Sequence, residues 1–129
     1  MPGGRGRGRG PRRRWGRRMR VLEPMMLLLM AQDPLHGYGL TERLTTVFGV
    51  GEVPPQTVYR ALQEMESSGW VTAAWDMDST QGPPRKVYSI TAEGLAALDA
   101  WSDEIETLRR MLDAFLTQYQ RFRSQQGVE

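Results

Sequence analysis

Cysteine is absent from this 129-residue chain, and histidine occurs once, at His36. The first absence excludes disulfides and thiolate metal sites and fits a reducing compartment. The second leaves one imidazole at most for any metal site, Ser-His-Asp triad or Cys-His dyad, so no metal site and no cofactor is expected. Long hydrophobic runs are also missing. The run from Met25 to Ala31 is far shorter than the about 20 residues that cross a bilayer. Arg17-Arg18 precedes it in the manner of a twin-arginine export signal, but Glu23 and Pro24 interrupt the pattern. Ala31-Gln32-Asp33-Pro34 offers no small-x-small cleavage site. A cytoplasmic chain without membrane contact is the expectation. Glycine-rich phosphate loops and nucleophile elbows are missing too, because "GRGRGRG" has neither a strand before it nor a helix after it. No enzyme is expected.

What is present begins with a division of charge. The formal net charge is +2, yet residues 1–20 hold nine arginines and no acid, while residues 21–129 hold eight Lys+Arg against fifteen Asp+Glu. A basic arm is joined to an acidic body, which points to a polyanionic partner for the arm. The arm is Gly- and Arg-rich with no apolar periodicity, so residues 1–20 are expected to be disordered when free. It is either a solubilising tail or a phosphate-seeking segment built on residues such as Arg12, Arg13 and Arg14, with Trp15 available to stack on a base. Its composition does not separate DNA from RNA.

The body reads as helix, helix, helix, hairpin, helix. Val21 to Gln32 is apolar on nearly every side, and Pro24 fits only in the first turn. So uniform a helix in so small a protein predicts contact beyond its own domain. A second helix follows from His36 or Gly37 to Phe48, with Leu40, Leu44, Val47 and Phe48 at helical spacing. His36 is read as a structural residue of the turn. A third helix occupies "PPQTVYRALQEMESSGW", residues 54–70, starting at the prolines and stopping at Gly69. Alternation in "WVTAAWD" and the β-branched and aromatic run in "RKVYSI" then predict a two-stranded hairpin with a long tip at 77–84. That order is the order of a winged helix-turn-helix: a mainly α fold with a small β-hairpin over 21–91.

The last helix, Ala92 to about residue 125, has Thr91 as N-cap and Glu93 in its first turn. Its apolar positions keep a three-four rhythm through Leu98, Trp101, Ile105, Leu108, Leu112, Phe115, Tyr119 and Phe122. A helix of about 30 residues is about 45 Å long, and such a ridge needs a partner. Four of its eight positions are aromatic, too bulky for a tight two-stranded coiled coil. The expectation is a C2 homodimer in a bundled packing that also recruits the first helix, including Leu27.

On the third helix, Val58, Ala61, Leu62 and Met65 face inward, and the opposite stripe carries Gln56, Arg60 and Gln63. In the major groove, Gln56 or Gln63 is suited to adenine N6 and N7, and Arg60 to guanine O6 and N7. Any amphipathic helix also shows Gln and Arg to solvent, so the stripe alone does not establish base reading.

"PLHGYGL" at 34–40, "QTVYRALQEMESSGWV" at 56–71, "GPPRKVYSIT" at 82–91 and "AEGLAAL" at 92–98 together resemble the PadR family of bacterial transcriptional regulators, over about residues 22–100. The resemblance implies a winged-helix DNA-binding domain, a C-terminal dimerisation helix of the short kind, and a repressor relieved by a small molecule or stress signal. It implies that 54–69 is the recognition helix with Gln56, Thr57 and Tyr59 near its start, and that 70–90 is the wing with Arg85 and Lys86 at the base of its second strand. Thr57 and Tyr59 would give hydroxyls to phosphates. A small hydrophobic effector would sit at the dimer interface near Trp101 and helix-one residues such as Met26, although those side chains read better as core. The arm is no standard feature of the family, so a non-catalytic winged-helix scaffold, or an RNA-binding protein using that arm, remains the alternative.

Overall fold

A computed structural model of the chain describes residues 21–77 and 82–127. The arm, with Arg12, Arg13 and Arg14, and the centre of the hairpin tip lie outside the described residues. The elements are α1 (Leu22–Gln32), β1 (Leu35–His36), α2 (Gly37–Phe48), α3 (Pro55–Ser67), β2 (Val71–Asp76), β3 (Arg85–Ile90) and α4 (Ala92–Gln125). The chain divides into a first compact unit ending at Leu98 and a second from Asp99 onward, both sharing the continuous helix α4.

The predicted hairpin is present, and its register places Val71 opposite Ile90, Ala73 opposite Tyr88 and Trp75 opposite Lys86. The sheet has a third strand that the sequence does not announce. β1 adds to the free edge of β3, giving the antiparallel order β1-β3-β2 with Leu35 opposite Tyr88 and His36 opposite Val87. Two residues are too few for alternation to be visible, so only the unpaired edge of β3 reveals the strand.

The core lies between the three helices and one face of the sheet. Met26, Leu27, Leu29 and Met30 of α1, Leu40 and Leu44 of α2, Val58, Leu62 and Met65 of α3, and Val71 of β2 are all at most 2% exposed. No polar or charged side chain among the described residues is buried with them. Burial of a Leu or Met side chain contributes about 1.5–3 kcal/mol, so this cluster is the main source of stability. The packing corrects three expectations. α1 is enclosed by its own domain, against α2 and β3, and does not need another chain to cover it. Leu27, expected at a dimer interface, and Met26, expected at a ligand site, are both fully enclosed, and Leu28 is the large apolar side chain of that helix that emerges. Val47, expected inward, is exposed because α2 turns it away before Gly49 ends the helix.

α3 ends with both hydrogen bonds of a Schellman motif: the Trp70 N–H donates to the Met65 carbonyl at 2.9 Å and the Gly69 N–H to that of Glu66 at 3.0 Å, with Gly69 at φ 81°. Thr91 then ties three elements together. Its hydroxyl donates to the Gly69 carbonyl at 2.6 Å and accepts the Gly94 N–H at 3.0 Å, while its own N–H donates to the Trp70 carbonyl at 3.0 Å. α4 is therefore capped by the residue that also closes the turn after α3. Gly94 passes so close beneath this turn that a Cβ there would collide with the Trp70 carbonyl oxygen.

Among the described residues, Tyr88 is the titratable side chain drawn into the core, at 6% exposed, packed as an aromatic. Burial raises its phenol above the ordinary value of 10.0, and the negative charge of Glu66 and the neighbouring Tyr59 phenol raise it further. The folded state holds this proton more tightly than the unfolded chain does. Its stabilising contribution is complete below pH 10 and is lost as pH rises through the folded-state value.

Two outcomes follow for equilibrium unfolding in urea. Thr91→Ala removes the cap and lowers stability by about 1–2 kcal/mol. Wild type loses stability as pH rises above 10, and Tyr88→Phe flattens that slope. Midpoints measured over a pH series check both, and a Tyr88→Phe slope equal to wild type contradicts the second.

Candidate nucleic-acid interface

α3 begins at Pro55, whose missing N–H costs nothing in the first turn. The helix then separates its faces cleanly. Val58, Ala61, Leu62 and Met65 are buried, and Gln56, Thr57, Arg60 and Gln63 are exposed. The sequence-predicted stripe therefore exists as a continuous outer surface, with Arg60 and Gln63 bordering a shallow depression of about 510 Å³ that also includes Glu64. Its hydrogen-bonding groups are the bidentate kind that fit base edges. Helix-turn-helix proteins place the amino-terminal part of this helix in the major groove.

Tyr59 holds a different position from its neighbours. At 44% exposed it is half covered, because its ring lies on Gly37, the first residue of α2. A Cβ at Gly37 would stand 2.5 Å from Tyr59 Cε1 and 2.7 Å from its hydroxyl. The glycine of "PLHGYGL" is thus the seat that lets α2 start directly beneath the recognition helix. Sequence reasoning assigned Tyr59 to phosphate contact and did not foresee this packing. The signal lies in a glycine at the start of one helix and a bulky ring on the next, and only a known helix crossing pairs them.

The flank of α2 beside the start of α3 forms a groove of about 590 Å³ lined by Tyr38, Thr41, Thr45, Pro54 and the carboxylates Glu42 and Glu52. The hydroxyls suit phosphate oxygens and the two acids oppose them. Acidity is general here: residues 21–98 hold four cations, Arg43, Arg60, Arg85 and Lys86, against nine acids. Phosphate neutralisation supplies most sequence-independent affinity, and this domain has few charges with which to provide it.

Arg85 and Lys86 are both exposed at the start of β3, and the pleat sends them to opposite faces. Arg85 stands across the ladder from Asp76, and Lys86 across from Trp75 with its ammonium 5.7 Å from the centre of the indole. Asp76 also approaches His36, with its Oδ2 3.5 Å from Nε2. The sheet brings His36 a carboxylate from 40 positions away in sequence. Its role stays structural, because it belongs to the strand that joins the wing to α2.

On α4, Leu112, Phe115, Tyr119 and Phe122 are exposed, while Trp101, Ile105 and Leu108 are half-buried. Met111 and Leu116 widen the exposed apolar face. The rings of Phe115 and Tyr119 are stacked at 6.3 Å with planes 8° apart, and the Arg123 guanidinium lies 5.9 Å from the Tyr119 ring. No helix among the described residues is long and apolar enough to cross a membrane, and no group of three or more potential metal ligands occurs among them.

Three helices, an edge strand and a two-stranded wing, with the outer face of the third helix bare, define a winged helix-turn-helix DNA-binding protein. Residues 26–100 match the model of the transcriptional regulator PadR-like family, and the chain belongs to that family. Among solved structures it is similar to the conserved protein TM0937, described as a potential transcriptional factor, with 34% identity, a TM-score of 0.68, and coverage of 91% of this chain and 97% of the other. A PadR-like transcriptional regulator from Bacillus cereus matches at 27% identity and TM-score 0.64 over 74% of this chain and 91% of its own. The protein TA0346 from Thermoplasma acidophilum matches at 25% identity and TM-score 0.66 over 75% of this chain and 91% of its own. No significant match occurs among curated proteins. The chain is therefore a DNA-binding transcriptional regulator and not an enzyme.

The seat at Gly37 gives a direct test of the interface. Gly37→Ala should push the Tyr59 ring off α2 and weaken DNA binding. Stability should fall by less than the about 1–3 kcal/mol of overpacking in a closed core, because the displaced ring is the free end of a half-exposed side chain. Urea unfolding beside a DNA-binding assay checks this. Adding Tyr59→Ala should abolish the difference between glycine and alanine at position 37.

Proposed function

We propose that the protein is a homodimeric, sequence-specific repressor of PadR type acting on double-stranded operator DNA in the cytoplasm. Residues 21–91 form the DNA-binding domain, 92–125 the dimerisation helix, and 1–20 a basic arm that adds grip. The observation that carries the reading is the exposed Gln56-Arg60-Gln63 stripe backed by a closed apolar face. Gln56, Arg60 and Gln63 read bases, Thr57 and Tyr59 meet phosphates, and Arg85 and Lys86 give the wing its contact. Arg12, Arg13 and Arg14 follow the backbone or enter a neighbouring minor groove, supplying charge that the acidic domain lacks.

Dimerisation rests on the apolar face of α4. A contiguous exposed patch of Leu112, Phe115, Leu116, Tyr119 and Phe122 is unusual on a monomer and marks an interface. Trp101, Ile105 and Leu108 continue the ridge toward the DNA-binding domain in sequence, and Leu27 is no longer part of it. A small hydrophobic effector has Trp101 as its aromatic contact, without Met26, which has no surface to offer. Repression is the mode that membership of the PadR-like family implies.

Sequences enriched from random DNA should converge on a recurrent, two-fold symmetric site. On that site Arg60→Ala should cost about 1–3 kcal/mol and relax preference at one or two base pairs. Deleting residues 1–18 should weaken specific and random DNA alike and reduce the salt dependence of binding. Equal losses on operator and random DNA for both variants contradict the division between selecting helix and gripping arm. Sedimentation at micromolar concentration should give a dimer, and a monomer there overturns the assignment of α4.

A further inference from the structure

Lys86 is the only lysine in the chain. It lies on the wing with its ammonium 5.7 Å from the centre of the Trp75 ring, directly across the β2–β3 ladder. Trp75 itself is a structural oddity. It shares a face of the sheet with Val71 and Tyr88, which are 1% and 6% exposed, yet it is 60% exposed because the helices no longer cover the sheet at its end. An indole left in solvent contributes little to the core, so its packing does not explain it. The neighbouring cation is placed differently: Arg85, on the other face, has Asp76 and not an aromatic ring as its partner across the ladder. The two adjacent cations that sequence alone treats as equivalent are thus unequal.

We infer that Trp75 is a positioning residue for DNA binding: its indole holds the Lys86 ammonium at the outer edge of the wing, so that of the wing's two cations Lys86 delivers the larger share of the phosphate contact. The inference rests on the reading of the wing as a phosphate contact. A lysine otherwise samples many rotamers and loses them on binding. The negative face of an indole narrows that distribution beforehand while leaving N–H donors of the ammonium free for a phosphate oxygen. Trp75 adds no charge of its own. Its effect must therefore appear in affinity and not in the number of phosphates neutralised.

This separation defines the experiment, on the full-length protein with a short mixed-sequence DNA duplex over a range of salt concentrations. Lys86→Ala should reduce the slope of log K against log salt by about one. Arg85→Ala should reduce it by clearly less. Trp75→Ala should leave the slope unchanged and lower affinity about two- to fivefold, as expected for an exposed cation–π pair. Trp75→Phe should restore most of that loss, and Trp75→Ala should have no effect in the Lys86→Ala background. Reductive methylation with ¹³C-formaldehyde, which retains the charge, should give a side-chain signal from Lys86 alone, shifted by the indole ring current in wild type and unshifted in Trp75→Ala.

If Lys86→Ala leaves slope and affinity unchanged, the wing-contact reading falls and the inference with it. If Lys86→Ala lowers the slope but Trp75→Ala leaves affinity unchanged, the wing contact stands and the positioning role is overturned. A Trp75→Ala loss that persists without Lys86, or a methyl-lysine signal identical in wild type and Trp75→Ala, also overturns it.

Discussion

The enclosure of α1 is the constraint on which the rest of this domain depends. Four consecutive turns of contact are not available to an 11-residue helix, so it succeeds by being apolar almost all round and lying where α2 and β3 both reach it. Met26, Leu27, Leu29 and Met30 have no surface left, which forces the neighbouring elements to close around them. α3 completes that closure with a single face. Because its inward positions are fully used by packing, its outward positions are free of any structural duty, and polar bidentate side chains stand there at no cost to the fold.

The electrostatics of the domain divide the work of binding. With nine acids against four cations over residues 21–98, long-range attraction to DNA is weak, and carboxylates such as Glu42, Glu52 and Glu64 border the very surfaces that approach it. Such a surface penalises poor registration, since a small displacement sets acid against phosphate. On the proposed reading, grip belongs to the arginines of residues 1–20 and discrimination to α3. A protein built this way gains selectivity by being intrinsically reluctant, and its basic arm sets how much reluctance is overcome.

Much of the architecture was legible because its signals are local. Helix starts at prolines, stops at glycines, the alternation of "WVTAAWD" and the Thr91 cap each depend on a few adjacent residues, and all four appear in the structure. Base-edge candidates on α3 were legible for the same reason, since helical periodicity separates its faces. What failed was nonlocal. β1 is two residues long and exists only because β3 has an open edge. Leu27 and Leu28 differ by one position on an apolar helix, and no pattern says which is enclosed. The pairing of Trp75 with Lys86 requires the hairpin register, which a long tip leaves undetermined from sequence. The Gly37 seat requires the crossing of two helices.

The short strand β1 has a mechanical meaning. His36 is hydrogen-bonded into the wing sheet, and the very next residue, Gly37, begins α2 beneath Tyr59. No flexible linker separates the wing from the helix-turn-helix at this point; one peptide bond does. A load applied along β3 is passed through that bond to the base of the recognition helix, so wing and helix are gauged against each other as the two jaws of a caliper. On the proposed reading of wing and α3 as the two DNA contacts, the distance between them is set at this point by a ladder of two residue pairs, and a single insertion between Asp33 and Gly37 would reset it without altering either contact.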